Sequence, residues 1–312
     1  MQGKCIACVL TSFLVLFASV SMSGSSETGT VVKEGFVGAE TCKGCHEEQY
    51  ASYARTVHAK KYVKGPAFQG ACETCHGPGK RHVEKGGGRG VDIFAYGANV
   101  DPKAKSAKCL ECHEEAKPLE FWDRSRHTLN NISCDNCHDP HGRAERLLKG
   151  REPELCSRCH QDISAQFDRQ THHPVKEELM KCSDCHEVHG GFGRKMIKAD
   201  TVNELCYECH SEKRGPFMWE HPPVEKKCLT CHEAHGSNHV RLLERKVPQL
   251  CESCHDVGSG GGHMTEAYTS FHTFNGTATG DKNKFYGRSC LNCHTNIHGS
   301  NGPAGTGQRF QR

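Results

Sequence analysis

At positions 182–190 the chain reads Cys182-Ser183-Asp184-Cys185-His186-Glu187-Val188-His189-Gly190. The first five residues form a C-x-x-C-H motif, the attachment signature of a c-type haem, in which two thiols bond to the porphyrin and the histidine ligates the iron. On a helical turn, residues i, i+3 and i+4 share one face, so both thiols and the imidazole point at the same plate. His189 is a second imidazole on the same side as His186, which favours it as an axial ligand of a neighbouring haem.

The C-x-x-C-H motif occurs ten times in the chain. Histidine makes up 23 of the 312 residues, so chance would place it after a C-x-x-C about one time in fourteen, and here it follows every time. Zinc ribbons need paired cysteines but no histidine directly after them. An exported C-x-x-C disulfide does not need that histidine either. The pattern therefore predicts ten covalently attached haem c groups. The attaching cysteines are Cys42, Cys45, Cys72, Cys75, Cys109, Cys112, Cys134, Cys137, Cys156, Cys159, Cys182, Cys185, Cys206, Cys209, Cys228, Cys231, Cys251, Cys254, Cys290 and Cys293.

Residues 1–23 have the pattern of a secretory signal peptide. Lys4 gives the positive start, residues 6–20 are apolar, and small residues follow up to Ser23. An uncleaved anchor is the alternative, although the apolar run is short for a membrane-spanning helix. The mature chain is therefore expected to be exported, which suits thioether attachment outside the cytoplasm.

The chain has too few large apolar residues to fold around a side-chain core of its own. Leu, Ile, Val and Phe make up 17% of it, and below about 20% a composition starts to resemble that of a disordered chain. We predict that the haems are the core, as large apolar plates in place of the missing side chains. Their propionates also turn the formal charge of +3 into a net negative charge, which argues against a nucleic-acid partner.

The ten motifs group into five tandem dihaem modules. Each module reads C-x-x-C-H, a gap containing a histidine, a second C-x-x-C-H and a further histidine close behind. Successive modules of this size are expected to pack chiefly on their neighbours. The predicted fold class is therefore mainly α with little regular secondary structure, an elongated multihaem cytochrome c with a haem-packed core. The modules span about residues 42–82, 109–141, 156–189, 206–235 and 251–298, within a cytochrome domain of residues 24–298.

The histidines divide into motif residues and a second set selected by the repeat. The motif histidines are the predicted proximal ligands: His46, His76, His113, His138, His160, His186, His210, His232, His255 and His294. The predicted distal ligands are His58, His82, His127, His141, His173, His189, His221, His235, His272 and His298. His173 is preferred to His172 because His173-Pro174-Val175 resembles His221-Pro222-Pro223-Val224. His172, His239 and His263 are then spare, and His263 is an alternative to His272.

Regular secondary structure is expected to be sparse. Short helices should carry the motifs, and longer amphipathic helices are predicted over residues 47–58, 115–127 and 154–167, with no convincing strands. The glycine-rich residues 299–312 predict a flexible or docking tail.

Two imidazoles on every iron leave no coordination position for a substrate, so the ligand count predicts an electron carrier and not an enzyme. A row of ten haems suits transfer over a distance comparable to a membrane, about 30 Å of hydrocarbon. Three alternatives are open: a soluble periplasmic carrier or reservoir, a multihaem reductase with one open haem site, and an extracellular cytochrome filament.

The mature chain resembles the DmsE/MtrA-type periplasmic decahaem c-type cytochromes of Gram-negative bacteria, with PioA-like members. The resemblance rests on the ten motifs, on Phe36-Val37-Gly38-Ala39-Glu40-Thr41-Cys42, on Cys72-Glu73-Thr74-Cys75-His76-Gly77-Pro78-Gly79 and on the recurrent C-x-x-C-H-x-x-H-G. It implies bis-histidine haems and insertion into an outer-membrane β-barrel porin of roughly 26 strands. It also implies a periplasmic or inner-membrane quinol-linked cytochrome as donor, and an extracellular cytochrome or terminal reductase as acceptor.

Overall fold

The computed structural model describes residues 34–60, 66, 70–142, 144–255, 273–274, 277–278 and 290–311. The predicted signal peptide, His263 and His272 lie outside these ranges. The α-helices are α1 Ala39–Lys43, α2 Glu47–Tyr53, α3 Cys72–His76, α4 Lys80–Glu84, α5 Pro102–His113, α6 Arg126–Leu129, α7 Cys134–Cys137, α8 Glu152–Ser157, α9 Gln161–Gln166, α10 Cys182–Cys185, α11 Val202–Tyr207, α12 Pro222–Lys226 and α13 Gln249–Glu252. Single 3₁₀ turns lie at Val57–Ala59, Lys117–Leu119, Trp122–Arg124, Glu145–Leu147, Arg194–Met196, Ser211–Lys213, Cys228–Thr230, Val240–Leu242, Cys290–Asn292 and Gly307–Arg309.

Every C-x-x-C-H motif closes a helical turn. In eight of them the histidine N–H donates to the carbonyl of the first cysteine at 2.8–3.1 Å, and the motifs of His76 and His113 lie inside α3 and α5. This bond spacing places the two thiols and the imidazole on one face, as the motif requires.

The three longer helices predicted from the sequence are wrong, because each is divided into short segments. Residues 47–58 form α2 and a 3₁₀ turn separated by the extended residue Thr56. Residues 115–127 form two 3₁₀ turns and then α6, which is capped by Ser125. Residues 154–167 break at His160, whose φ of −91° and ψ of 58° are not helical. The backbone leaves the helical conformation at the points where it must direct an imidazole.

The longest helix in the described residues, α5, was not predicted. Asp101 caps it by accepting a hydrogen bond from the Lys103 N–H at 3.1 Å, and Pro102 occupies its first turn. Both residues are favourable at a helix N-terminus. The helix ends at His113 and so carries the third motif in its last turns.

Strand structure in the described residues is confined to two-residue pairs. β1 (Thr171–His172) pairs antiparallel with β2 (Gly236–Ser237), and β3 (Thr273–Phe274) pairs antiparallel with β4 (Thr277–Ala278). The pair of β1 and β2 connects the segment between the two motifs of module three to the residues that directly follow module four. The predicted fold class is confirmed: over the described residues the regular secondary structure is mainly helical with little sheet, and C-x-x-C-H modules repeat along the chain.

Few hydrophobic side chains are buried. Among the described residues they are Trp122, Leu155, Val175 and Leu243, each 6–8% exposed. No described helix has the length and hydrophobicity of a membrane-spanning segment.

A buried carboxylate fastens the beginning of the described chain to the second motif. Glu73 is 2% exposed. Its Oε1 accepts hydrogen bonds from the N–H groups of Val37 and Gly79 at 2.9 and 2.8 Å, and its Oε2 accepts from the Gly38 N–H at 2.8 Å. Three bonds to one charged group compensate for its removal from water.

We expect Glu73→Gln to lower the free energy of unfolding by about 2 kcal/mol, because hydrogen bonds to a charged group contribute about 1.5–3 kcal/mol. The amide also turns a donor toward backbone N–H groups. Denaturant unfolding of the holoprotein measures the change. Exposed Glu47→Gln is the matched control, and equal stability of the two variants would contradict this role for Glu73.

Candidate haem-binding site

The two motifs of each module meet at their first cysteines. The first thiols of the two motifs interact in every module: Cys42 with Cys72, Cys109 with Cys134, Cys156 with Cys182, Cys206 with Cys228 and Cys251 with Cys290. The interaction with Cys42 lowers the pKa of the Cys72 thiol to about 7, and the interaction with Cys109 lowers that of Cys134 to about 6. None of the twenty motif cysteines, all of which the structure describes, forms a disulfide.

A polar side chain ahead of the first motif binds the start of the second motif in three modules. Ser106 Oγ accepts from the Cys134 N–H at 3.4 Å, and Asn203 Oδ1 accepts from the Cys228 N–H at 2.8 Å. In module three, Glu152 accepts from the N–H and hydroxyl of Ser183 at 3.0 and 2.9 Å. These contacts hold the two attachment points of a module side by side.

Neighbouring modules meet at their second cysteines. Burial raises the pKa of Cys75, Cys137, Cys185 and Cys231, and the charge of a thiol in the next module raises each of them further. The thiols responsible are Cys112, Cys159, Cys209 and Cys254, in that order. First cysteines meet within each module and second cysteines meet between modules. Together these contacts link all ten motifs in the order in which they occur in the sequence.

Nine motif histidines each face one histidine from outside the motifs. The pairs are His46–His82, His113–His58, His76–His141, His160–His127, His138–His189, His210–His173, His186–His235, His255–His221 and His232–His298, with ring centroids 6.0–6.4 Å apart. A metal–imidazole nitrogen bond is about 2.0–2.1 Å, so two such bonds plus half a ring on each side give roughly 6 Å. Interplanar angles from 11° to 76° fit rings rotated about a shared axis, whereas plain aromatic packing would not select one motif histidine for every pair.

The histidine pairs connect the modules. His46–His82 lies inside module one, and the other eight pairs join adjacent modules, two at each of the four junctions. The repeat in the sequence selected these nine facing histidines but did not indicate which motif histidine each would face. For His294, the predicted partner His272 and the alternative His263 lie outside the described residues.

Backbone carbonyls orient many of these rings. In eight of these histidines the Nδ1 donates a hydrogen bond to a backbone carbonyl at 2.6–3.2 Å. Five are the motif histidines His76, His138, His186, His232 and His294, and three are the facing histidines His82, His127 and His173. A protonated Nδ1 fixes the tautomer and leaves the Nε2 lone pair free to bind a metal. Burial lowers the pKa of several paired histidines, including His58, His141 and His189, and lowers that of His298 to about 4. These rings are therefore neutral, as ligation requires.

One continuous cavity of about 4720 Å³ runs through the described chain. Usual ligand pockets measure roughly 300–1,000 Å³. All twenty motif cysteines, all ten motif histidines and the nine histidines that face them line the cavity. The residues present therefore fit a series of large flat groups, each attached through two thiols and held between two imidazoles.

Two family models match the chain over most of this architecture. The doubled CXXCH motif model matches residues 127–165, 172–215 and 221–260, and the model of cytochrome c554 and c-prime matches residues 41–70 and 94–139. The multiheme cytochrome MtrA of Shewanella baltica is 38% identical over 272 residues, which cover 86% of this chain and 80% of that protein. The chain belongs to the MtrA-type family of multihaem c-type cytochromes. As an MtrA-type cytochrome it binds haem c covalently and transfers electrons.

Two further relatives of this MtrA-type chain are much longer proteins. The C-type polyheme cytochrome OmcC of Geobacter sulfurreducens is 24% identical over 81% of this chain and 35% of its own length. The high-molecular-weight cytochrome c of Nitratidesulfovibrio vulgaris is 24% identical over 47% of this chain and 31% of its own length. The chain thus spans about a third of these two relatives.

The sequence analysis of this MtrA-type chain missed the residues whose backbone carbonyls accept hydrogen bonds from the motif histidines. They are Arg146, Lys195 and Arg241 for His138, His186 and His232. The signal was present, because a basic residue followed by two aliphatic residues recurs eight or nine positions after the motif histidine, as in Arg146-Leu147-Leu148, Lys195-Met196-Ile197 and Arg241-Leu242-Leu243.

The C-terminal residues are packed, whereas their glycine content predicts a flexible or docking tail. Ser300 and Trp219 exchange two backbone hydrogen bonds at 2.9 Å, and the Trp219 indole N–H donates to the Gly302 carbonyl at 3.0 Å. The ring of Phe310 lies 5.3 Å from that of His221, and the Arg309 carbonyl accepts from His294. The end of the chain therefore positions histidines of modules four and five.

Proposed function

We propose that this chain carries ten bis-histidine haem c groups in one row and conducts electrons along them through the outer membrane, inside a β-barrel porin. The observation that carries the proposal is the set of nine facing histidine pairs on a single continuous cavity. The proposed proximal and distal ligands are the ten motif histidines and the ten others selected from the sequence. For His294 the proposed partner is His272, with His263 as the alternative.

The order of the haem attachment points supports a single path for electrons along the chain. Haem c, when bound, supplies a one-electron iron couple. Contacts between first cysteines bring the two attachment points of each module together, and the approach of second cysteines does the same at each junction. The attachment points therefore follow one another in sequence order without a branch, which supports conduction from one end of the chain to the other.

The ligand pairs also support an electron carrier over an enzyme. A histidine on each side would fill both axial positions of a bound haem iron, so no site for substrate would remain at the metal. Among the nine described pairs, each motif histidine has a facing imidazole at a bonding separation. A reductase with an open position would therefore have to use the site of His294.

The family supports the proposed membrane setting. MtrA-type cytochromes resemble this chain over most of its length, and the family resemblance implies a periplasmic protein inserted into an outer-membrane porin. In this setting an inner-membrane or periplasmic quinol-linked cytochrome supplies the electrons. An extracellular cytochrome or terminal reductase receives them.

Haem quantification and EPR of the oxidised holoprotein test the ligation. We expect about ten haems per chain, all low-spin ferric, because two imidazoles give a strong ligand field. A stoichiometric high-spin component would instead indicate an open site and favour the reductase.

Co-purification tests the porin partnership. In cells that contain the porin, we expect the cytochrome to fractionate with the outer membrane and to co-purify with a large β-barrel. Recovery of the cytochrome entirely in the soluble periplasmic fraction of such cells would support the soluble carrier or reservoir.

A further inference from the structure

Basic residues contact the histidine of the second motif in four modules. Three of them share one repeated position, eight or nine residues after that histidine, and the fourth, Arg309, lies fifteen residues after it. Each accepts, through its backbone carbonyl, a hydrogen bond from the Nδ1 of that motif's histidine. The pairs are Arg146 with His138 at 2.8 Å, Lys195 with His186 at 3.2 Å, Arg241 with His232 at 2.8 Å and Arg309 with His294 at 2.6 Å.

The backbone at this position does not require a basic residue. Arg146, Lys195 and Arg241 have φ of 53°, 59° and 60°, in the left-handed region that glycine and asparagine enter most readily. A carbonyl acceptor needs no side chain, and glycine would supply it with less strain. The recurrence of arginine or lysine therefore indicates that the side chain has a separate role.

The four side chains line the cavity, and none of them has an acidic partner among the described residues. Arg146, Lys195, Arg241 and Arg309 all line the cavity, and none of them forms an ion pair with a carboxylate of the described residues. Six other cations that line the cavity also form no such pair, so these four are set apart by their carbonyl contact with a motif histidine. The six are Arg89, Arg126, Lys149, Arg158, Arg194 and Lys227. A cation without an acidic partner at a cavity that accepts an anionic group suggests pairing with that group.

We propose that Arg146, Lys195, Arg241 and Arg309 are the charge partners of haem propionates at the sites of His138, His186, His232 and His294, and that they raise the reduction potentials there. The inference rests on the haem assignment proposed above. Reduction adds one negative charge to a haem, and a nearby cation stabilises the reduced form more than the oxidised form. At the site of His76 the corresponding acceptor is Phe94, at 2.9 Å, so that site has no cation from this position.

The test is a redox titration of the holoprotein followed by visible absorption and EPR. In Arg146→Gln and Lys195→Gln we expect one haem component to shift to a more negative potential, with the others unchanged. The charge-preserving variants Arg146→Lys and Lys195→Arg should titrate as the wild type does. Lys176→Gln is the matched control, because Lys176 pairs with Asp168 and does not line the cavity.

The outcomes separate the charge role from the haem assignment. If the glutamine variants hold ten low-spin haems and titrate as the wild type does, the charge role is overturned while the assignment stands. A high-spin haem in the wild-type protein would overturn the assignment itself. Arg146→Gly removes the charge and relieves the left-handed strain, so it should show the same negative shift if Arg146→Gln fails to accumulate.

Discussion

Without haem attachment, this chain is expected to stay unfolded. The described residues bury four hydrophobic side chains, Trp122, Leu155, Val175 and Leu243. Burial of one such side chain contributes about 1.5–3 kcal/mol, and four of them cannot offset the conformational entropy that a chain of this length loses on folding. The facing imidazoles lie about 6 Å apart across a cavity, so without haem they contribute no packing contact to replace it.

The measurement is far-UV circular dichroism and protease resistance of chain exported from cells that lack the haem-attachment machinery, compared with holoprotein. We expect loss of helical signal and rapid cleavage throughout residues 34–311. A compact, protease-resistant apoprotein would refute this account of the core.

A single-site version of the experiment localises the effect. Cys156→Ala with Cys159→Ala removes the attachment of the haem proposed between His160 and His127, a pair that joins modules two and three. We expect faster cleavage near this junction than at the junction of modules four and five, which serves as the internal control. Uniform cleavage at both junctions would mean that the haems do not stabilise the modules separately.

The attachment chemistry could be predicted from the sequence because it is local. A C-x-x-C-H motif needs one helical turn, and its bond from histidine N–H to cysteine carbonyl depends on five consecutive residues. The nine histidines that face a motif histidine in the described chain could be selected from the repeat for the same reason, since each module has the same order of histidines.

The pairing of histidines could not be predicted, because it depends on how modules pack. His58 faces His113 and His76 faces His141, although His58 is closer in sequence to both motifs of its own module. The predicted lengths of the helices were wrong for a related reason. Residues 154–167 have a helical composition, but His160 must leave the helix for its ring to reach His127. The contacts of the C-terminal residues could not be predicted, because the partners of their glycines, Trp219 and Phe217, lie about 80 residues away.

His173→Ala is expected to convert one haem of the oxidised protein from low-spin to high-spin. The ring of His173 lies 6.4 Å from that of His210, and its Nδ1 donates to the Ala234 carbonyl, so its Nε2 is free for the metal. Removing the ring opens one axial position. EPR should show a high-spin signal of about one haem per chain, and the reduced protein should bind carbon monoxide in the same amount.

The chain supplies a matched control at the adjacent position. The Nδ1 of His172 donates to the Arg169 carbonyl at 2.9 Å, and its Nε2 lies 3.0 Å from a carboxylate oxygen of Glu177, so both nitrogens already have partners. His172→Ala should therefore leave every haem low-spin and bind no carbon monoxide. A high-spin signal from His172→Ala together with an unchanged spectrum from His173→Ala would reverse the assignment of the two histidines. Unchanged spectra from both variants and from the double variant would show that neither ligates, and the pairing of modules three and four through His173 and His210 would have to be abandoned.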